Sequence, residues 1–81
     1  MINSRAAEKA IITNIENYIA ARGTTRKHVF NRARISRQTF DRAMSGGRSF
    51  TIEEIVNIAE ALGVTPDELL PSEWVAVERA A

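Results

Sequence analysis

Cysteine is absent from these 81 residues, so neither a disulfide framework nor a thiolate metal site is available. There is one histidine, His28, and the carboxylates around it lack a zinc-binding spacing. No apolar run approaches the roughly 18 residues that suggest a membrane span. The segment MINSRAAEKA lacks the charged-then-apolar pattern of a signal peptide, so a cytoplasmic, reduced setting is the expectation. No run alternates with period two, and there is no repeat or low-complexity stretch. Catalytic sets are missing too: nothing can be built around His28 as a Ser/His/Asp or Cys/His arrangement, and it reads as a surface histidine. The SGG at 45–47 is too short for a phosphate-cradling loop and has no Lys-Ser/Thr after it. No enzyme activity, metal, cofactor or small-molecule ligand is evident from this composition.

What remains is one small domain with an ordinary apolar fraction of 44%. Its net charge of +1 says little, but the distribution says more. Residues 1–50 carry ten Lys/Arg against three acids, a net +7; residues 51–81 carry one Arg against seven acids, a net −6. A solubilising charge mix would explain the total but not this segregation, which suits a basic face turned toward a polyanion.

Apolar positions recur at three and four, so the fold expected is all-α, with five short helices in compact orthogonal packing. Ser4 can cap a first helix from about Arg5 to Arg22, with Ile12, Ile15 and Ile19 on one face, Ile11 and Tyr18 beside it, and Gly23 as its stop. Thr24 or Thr25 caps a second, roughly 26–33, that turns Val29, Phe30 and Ala33 inward. Arg34 and Ile35 form a tight turn, and Ser36 starts a third helix with Phe40 and Ala43 inward and Gly46 and Gly47 as its stop. TIEE at 51–54 is a capping box for a fourth helix, striped by Ile52, Ile55, Val56, Ala59 and Leu62 and ended by Gly63. TPDE at 65–68 repeats the box with Pro66 at the first helical position, and Leu69 and Leu70 close the core. This gives a domain over 1–71. The tail at 72–81 could add helical turns or fray, and either packs back on the first helix, makes a dimer contact through Trp74, Val75 and Val77, or links to a further domain.

Helices two and three, joined by about three residues, have the dimensions of a helix-turn-helix. The third carries Arg37, Gln38, Thr39 and Arg42 outward, with Asp41 as its only acid. Arginine pairs bidentately with guanine and glutamine with adenine, so these side chains can read bases, although a solvated polar face has the same composition. Arg42 could instead pair with a nearby acid. Arg26, Lys27, Arg32, Arg34 and Arg48 are phosphate candidates against a reading of surface solubility, which is strongest for Arg32. Glu53 with Glu54, and Asp67 with Glu68, sit in first helical turns, where the helix dipole accounts for them better than catalysis does.

From Ile15 to Leu70 the chain resembles the Cro/lambda-repressor-like helix-turn-helix family of phage and bacterial regulators. The resemblance rests on Val29, the run Ile35, Ser36, Arg37, then Phe40, Gly46, Ile52, Glu53, Ile55 and the stretch AEALGVTPDELL at 59–70. It implies a lambda-repressor-like domain that binds double-stranded DNA as a transcriptional regulator, a repressor occupying an operator, with a homodimer on half-sites as the expected partner arrangement. Position by position it implies base reading by Arg37, Gln38 and Arg42, with Thr39 on a base methyl or a phosphate. It sets Arg26 where the family usually has a phosphate-gripping glutamine, and Ser36, Ser45 and Arg48 at or near the backbone. The alternative is a protein-interaction module of the same fold, of antitoxin or anti-repressor type, working through the acidic half and Trp74. Departures from the family pattern are Phe30 for a small alanine, Ala33 for leucine and Ala43 for isoleucine, which together read as an exchange of volume. Arg34 replaces a frequent glycine: either the turn differs, or a left-handed arginine costing on the order of 1 kcal/mol is kept for a phosphate contact.

Overall fold

The computed structural model describes residues 3–74. Its elements are α1 (Ser4–Ala21), α2 (Arg26–Arg32), α3 (Arg37–Met44), α4 (Ile52–Leu62) and a one-turn 3₁₀ helix (Pro66–Leu69), and no strand occurs among the described residues. The all-α, five-helix architecture expected from the sequence is therefore present. α4 packs on α2 and on the 3₁₀ turn, α1 on the 3₁₀ turn, and α2 on α3.

Each α-helix starts at a polar residue that accepts from a free amide of the first turn. Asn3, not Ser4, caps α1: its Oδ1 accepts from the Ala6 N–H at 2.8 Å, and Ser4 becomes the first helical residue. Thr25 caps α2, and Ser36 caps α3. The Thr51 box is complete, with the Glu54 N–H donating to Thr51 Oγ1 at 3.1 Å and the Thr51 N–H donating to Glu54 Oε1 at 2.9 Å. The second box, TPDE, is present as well: Glu68 reaches back to the Thr65 N–H at 2.7 Å, and the Thr65 hydroxyl also donates to Glu68 at 3.0 Å. One 3₁₀ turn forms there instead of an α-helix.

The ends share one device, a pair of closing hydrogen bonds around a left-handed residue. After α1 the Thr24 N–H donates to the Ile19 carbonyl and the Gly23 N–H to Ala20; after α4, Val64 donates to Ala59 and Gly63 to Glu60. After α3, Gly47 donates to Arg42 and Gly46 to Ala43. After α2, Ile35 donates to Phe30 and Arg34 to Asn31, and here the left-handed residue is Arg34, with φ +59°. The turn has thus kept the geometry that suits glycine.

Phe40 is fully buried at the centre of the core. Its ring lies 5.8 Å from that of Phe30, tilted, and 6.2 Å from that of Phe50, edge-on. Ala33 and Ala43 are both buried, and Phe30 packs half-buried against the core cluster that includes Ala33. Two stripes differ from the sequence reading. On α1 the buried line is Ala7, Ile11 and Ile15, and Ile12, Tyr18 and Ile19 flank it half-buried. On α4 the line is Ile55, Ile58, Ala59 and Leu62, while Ile52 is 82% and Val56 43% exposed. Val56 lies about 100° around the helix from Ile55 and so falls off the stripe, and Ile58 takes its place. Asn14 ties the two ends of the core together: its Nδ2 donates to the carbonyls of Leu69 and Leu70 at 3.0 and 3.2 Å.

Candidate nucleic-acid interface

α2 and α3 are separated by the four residues 33–36, and the closing bonds after α2 set the direction in which α3 leaves. Ser36 then fixes the first turn of α3. Its Oγ accepts from the Thr39 N–H at 3.1 Å and donates to Thr39 Oγ1 at 2.9 Å. Both hydroxyls are thereby engaged with each other.

With Phe40, Ala43 and Met44 buried, helical periodicity turns the rest of α3 outward. Gln38, Asp41 and Arg42 line one shallow groove with Ser45. Gln38 and Arg42 are exposed, and neither side chain has a hydrogen bond or ion pair among the described residues. The alternative for Arg42, pairing with a nearby acid, is not what the structure shows. Arg37 is 81% exposed, and its Nε stands 3.7 Å from Asp41 Oδ2. Ser45 is exposed in the turn after α3, and its hydroxyl donates to the Arg42 carbonyl at 2.9 Å.

The basic residues around α3 divide by their partners. Arg26 donates from Nη2 to Glu16 at 2.9 Å, and its Nη1 lies 3.8 Å from Asp41 Oδ1. Lys27 is exposed, without a side-chain partner among the described residues. Arg34 is likewise unpaired, but it faces α4: with Arg32 it lines a groove whose other wall includes Glu53, Asn57 and Glu60. Arg48 is only 29% exposed, and its Nη1 donates to both Glu54 oxygens at 3.1 and 3.2 Å. That pair clips the loop before α4 onto the capping box. Burial by itself would raise the Glu54 pKa; the Thr51 amide, the Arg48 guanidinium and the Thr51 hydroxyl outweigh it and hold the carboxyl below its ordinary value. Glu68 is held low as well, chiefly by the Thr65 amide and hydroxyl.

The sequence reading left out several residues that the fold brings here. Arg5 and Lys9, one turn apart on α1, line a groove with Ile12, Thr13 and residues 44–46 at the end of α3. The Ser49 hydroxyl donates to Glu8, which fastens the loop after α3 to the same helix. An i, i+4 basic pair was visible in the sequence, but nothing local linked it to α3. Trp74, 44% exposed, ends the described residues in a helical turn over 72–74, and its N–H donates to the Pro71 carbonyl at 3.0 Å. Val75 and Val77, the other two residues of the expected dimer contact, lie outside the described residues.

Among the described residues no group of three or more His, Cys, Asp or Glu could hold a metal ion, and no helix is long and apolar enough to cross a membrane. No curated protein gives a match to the chain. A family model for the Cro/C1-type helix-turn-helix DNA-binding domain matches residues 14–73, from the asparagine that ties α1 to the 3₁₀ turn through α4 and beyond Pro71. With a capped, outward-facing α3 set behind a tight turn, and a match over most of its length, the chain belongs to the family of Cro/C1-type helix-turn-helix DNA-binding domains.

Proposed function

We propose that the protein is a sequence-specific regulator of transcription, a repressor of phage or bacterial type, that inserts α3 into the major groove of an operator. The observation that carries this reading is the pair Gln38 and Arg42, exposed, without a partner among the described residues, and side by side on the open face of α3. Glutamine can bond the N6 and N7 edge of adenine in two places, and arginine the O6 and N7 edge of guanine. Arg37 reads a further base from the first turn, with Thr39 beside it against a base methyl or a phosphate. Lys27 and Arg26 meet the backbone at the start of α2, Ser36 and Ser45 at the two ends of α3, and Arg34 at the turn. Arg48 adds only the part of its guanidinium that Glu54 leaves free. Such contacts set register and make affinity fall with salt, without specifying sequence.

One α3 covers only a half-site. A homodimer on half-sites about 34 Å apart would supply the remaining affinity, with Trp74 and the tail as its contact. Selection from a random duplex library, followed by binding of the best sequence at two salt concentrations, tests the proposal. A defined motif with twofold symmetry and a steep salt dependence supports a dimeric regulator. A flat selection with strong salt dependence overturns sequence-specific regulation. In that case a protein-interaction module, of antitoxin or anti-repressor type, becomes the better reading, and the exposure of Ile52, Val56 and Trp74 is the observation in its favour.

A further inference from the structure

Asp41 is the only carboxylate on α3, and it stands on the face that carries Gln38 and Arg42. A negative charge there opposes the approach of phosphate and lowers general affinity for DNA. Its geometry gives it a purpose. Each of its oxygens faces a different arginine: Oδ1 lies 3.8 Å from Arg26 Nη1, and Oδ2 lies 3.7 Å from Arg37 Nε. Arg26 is held from its other side by Glu16, so a line of alternating charge runs from α1 through α2 to the first turn of α3. Arg26 and Arg37 would otherwise share this corner as two like charges with no anion between them. With Glu16, Arg26 and Asp41 about half exposed and Arg37 81% exposed, these pairs add little stability, because water screens them. What they alter is where two long, flexible side chains point.

We propose that Asp41 is a specificity-determining positioning residue. It holds Arg37 along the open face of α3, toward base edges, and keeps both Arg37 and Arg26 from collecting phosphates indiscriminately. The inference rests on the reading of α3 as the base-reading helix. On a non-cognate duplex the carboxylate remains close to the phosphates with nothing to offset it. On the cognate duplex the guanine edge receives the fork of Arg37, while its Nε stays on Asp41. The difference between the two complexes widens although neither is contacted by Asp41 itself. A solvated acid that merely balances charge would weaken both complexes alike.

The test compares the parent with Asp41→Asn and Asp41→Glu, using the duplex selected by the parent and a scrambled duplex of equal length. For Asp41→Asn the expected results are about two- to tenfold tighter binding of the scrambled duplex at low salt and a salt slope steeper by about one. Preference at the base pair read by Arg37 should also flatten about tenfold. Asp41→Glu, which keeps the charge, should retain most of the preference. In an Arg37→Ala background Asp41→Asn should change the preference at that base pair no further, since the effect acts through Arg37. An unchanged ratio of selected to scrambled affinity in Asp41→Asn overturns the inference. So does an equal loss on both duplexes with a lowered Tm, the mark of a purely structural role. If Asp41→Asn fails to fold, Arg37→Ala alone decides: no loss of preference at any single base pair removes the residue through which Asp41 is said to act. A parent that selects no motif removes the DNA reading itself, an outcome separate from any behaviour of the variants.

Discussion

α3 and α4 follow one another in the chain, begin under similar hydroxyl caps and end around a left-handed glycine, yet Glu54 of α4 and the outward residues of α3 are held in different ways. On α4, Glu54 is bonded to Thr51 and to Arg48. On α3, Gln38 and Arg42 bond nothing among the described residues, and the carboxylate of Asp41 is divided between two arginines at ion-pair distance. Glu54, the half-buried acid of α4, has its charge met inside the fold, whereas the exposed donors Gln38 and Arg42 of α3 are left open to solvent.

The comparison breaks most completely at its shared base. Phe40→Ala removes the ring between Phe30 and Phe50 from a fully buried site, at a cost of about 3–5 kcal/mol, which is most of the stability expected of a domain this size. Chemical denaturation should find the variant largely unfolded, with α3 and α4 lost together. Arg42→Ala should separate the two helices. Its thermal midpoint should stay within the shift that about 0.5 kcal/mol produces, while affinity for the selected duplex falls by about 1–3 kcal/mol and preference relaxes at one base pair.

Glu54→Gln should do the reverse, lowering stability by about 1 kcal/mol with little change in base preference, because the cap weakens and Arg48 loses its partner. The same group predicts a pH dependence. Its folded pKa is below the unfolded value of about 4.3, so its contribution is complete above that value and disappears as pH falls through the lower folded value. Urea titrations of parent and Glu54→Gln between neutral and acid pH should therefore converge at the acid end. The smallest effect belongs to Arg34→Gly. Relief of the left-handed strain is partly offset by the greater freedom of glycine in the unfolded chain, leaving a gain of at most about 1 kcal/mol in Tm measurements. If Arg34 meets phosphate, the same variant should also show a salt slope shallower by about one.

Most of the fold was legible because its signals are local. Thr51 with Glu54, Ser36 before α3, and glycines at 23, 46 and 63 act within a few residues, and each does in the structure what its chemistry suggests. The errors arose where the third dimension decides. Ile52 and Val56 look like core from their spacing, but whether a neighbour covers them is not written in α4 itself. Asn3 and Ser4 are almost equal as caps, so a shift of one residue carries little energy. Asn14 gave no signal at all, because its partners are 55 and 56 residues away. The exposed face of α3 was legible as a list of residues. That Arg42 stands free while Arg26 and Arg37 share Asp41 depends on distances between helices that no spacing rule contains.

Asn14 also bears on how long the folded state lasts. Its amide joins α1 to the carbonyls of Leu69 and Leu70, so the contact bridges 55 and 56 residues of chain. Contacts of such separation form late, after the entropy of loop closure has been met. A late contact has little influence on the folding rate and a large one on the rate of escape. The side chain that fastens the two ends of this domain is therefore expected to act as a latch in time, slowing escape from the folded state more than it speeds assembly.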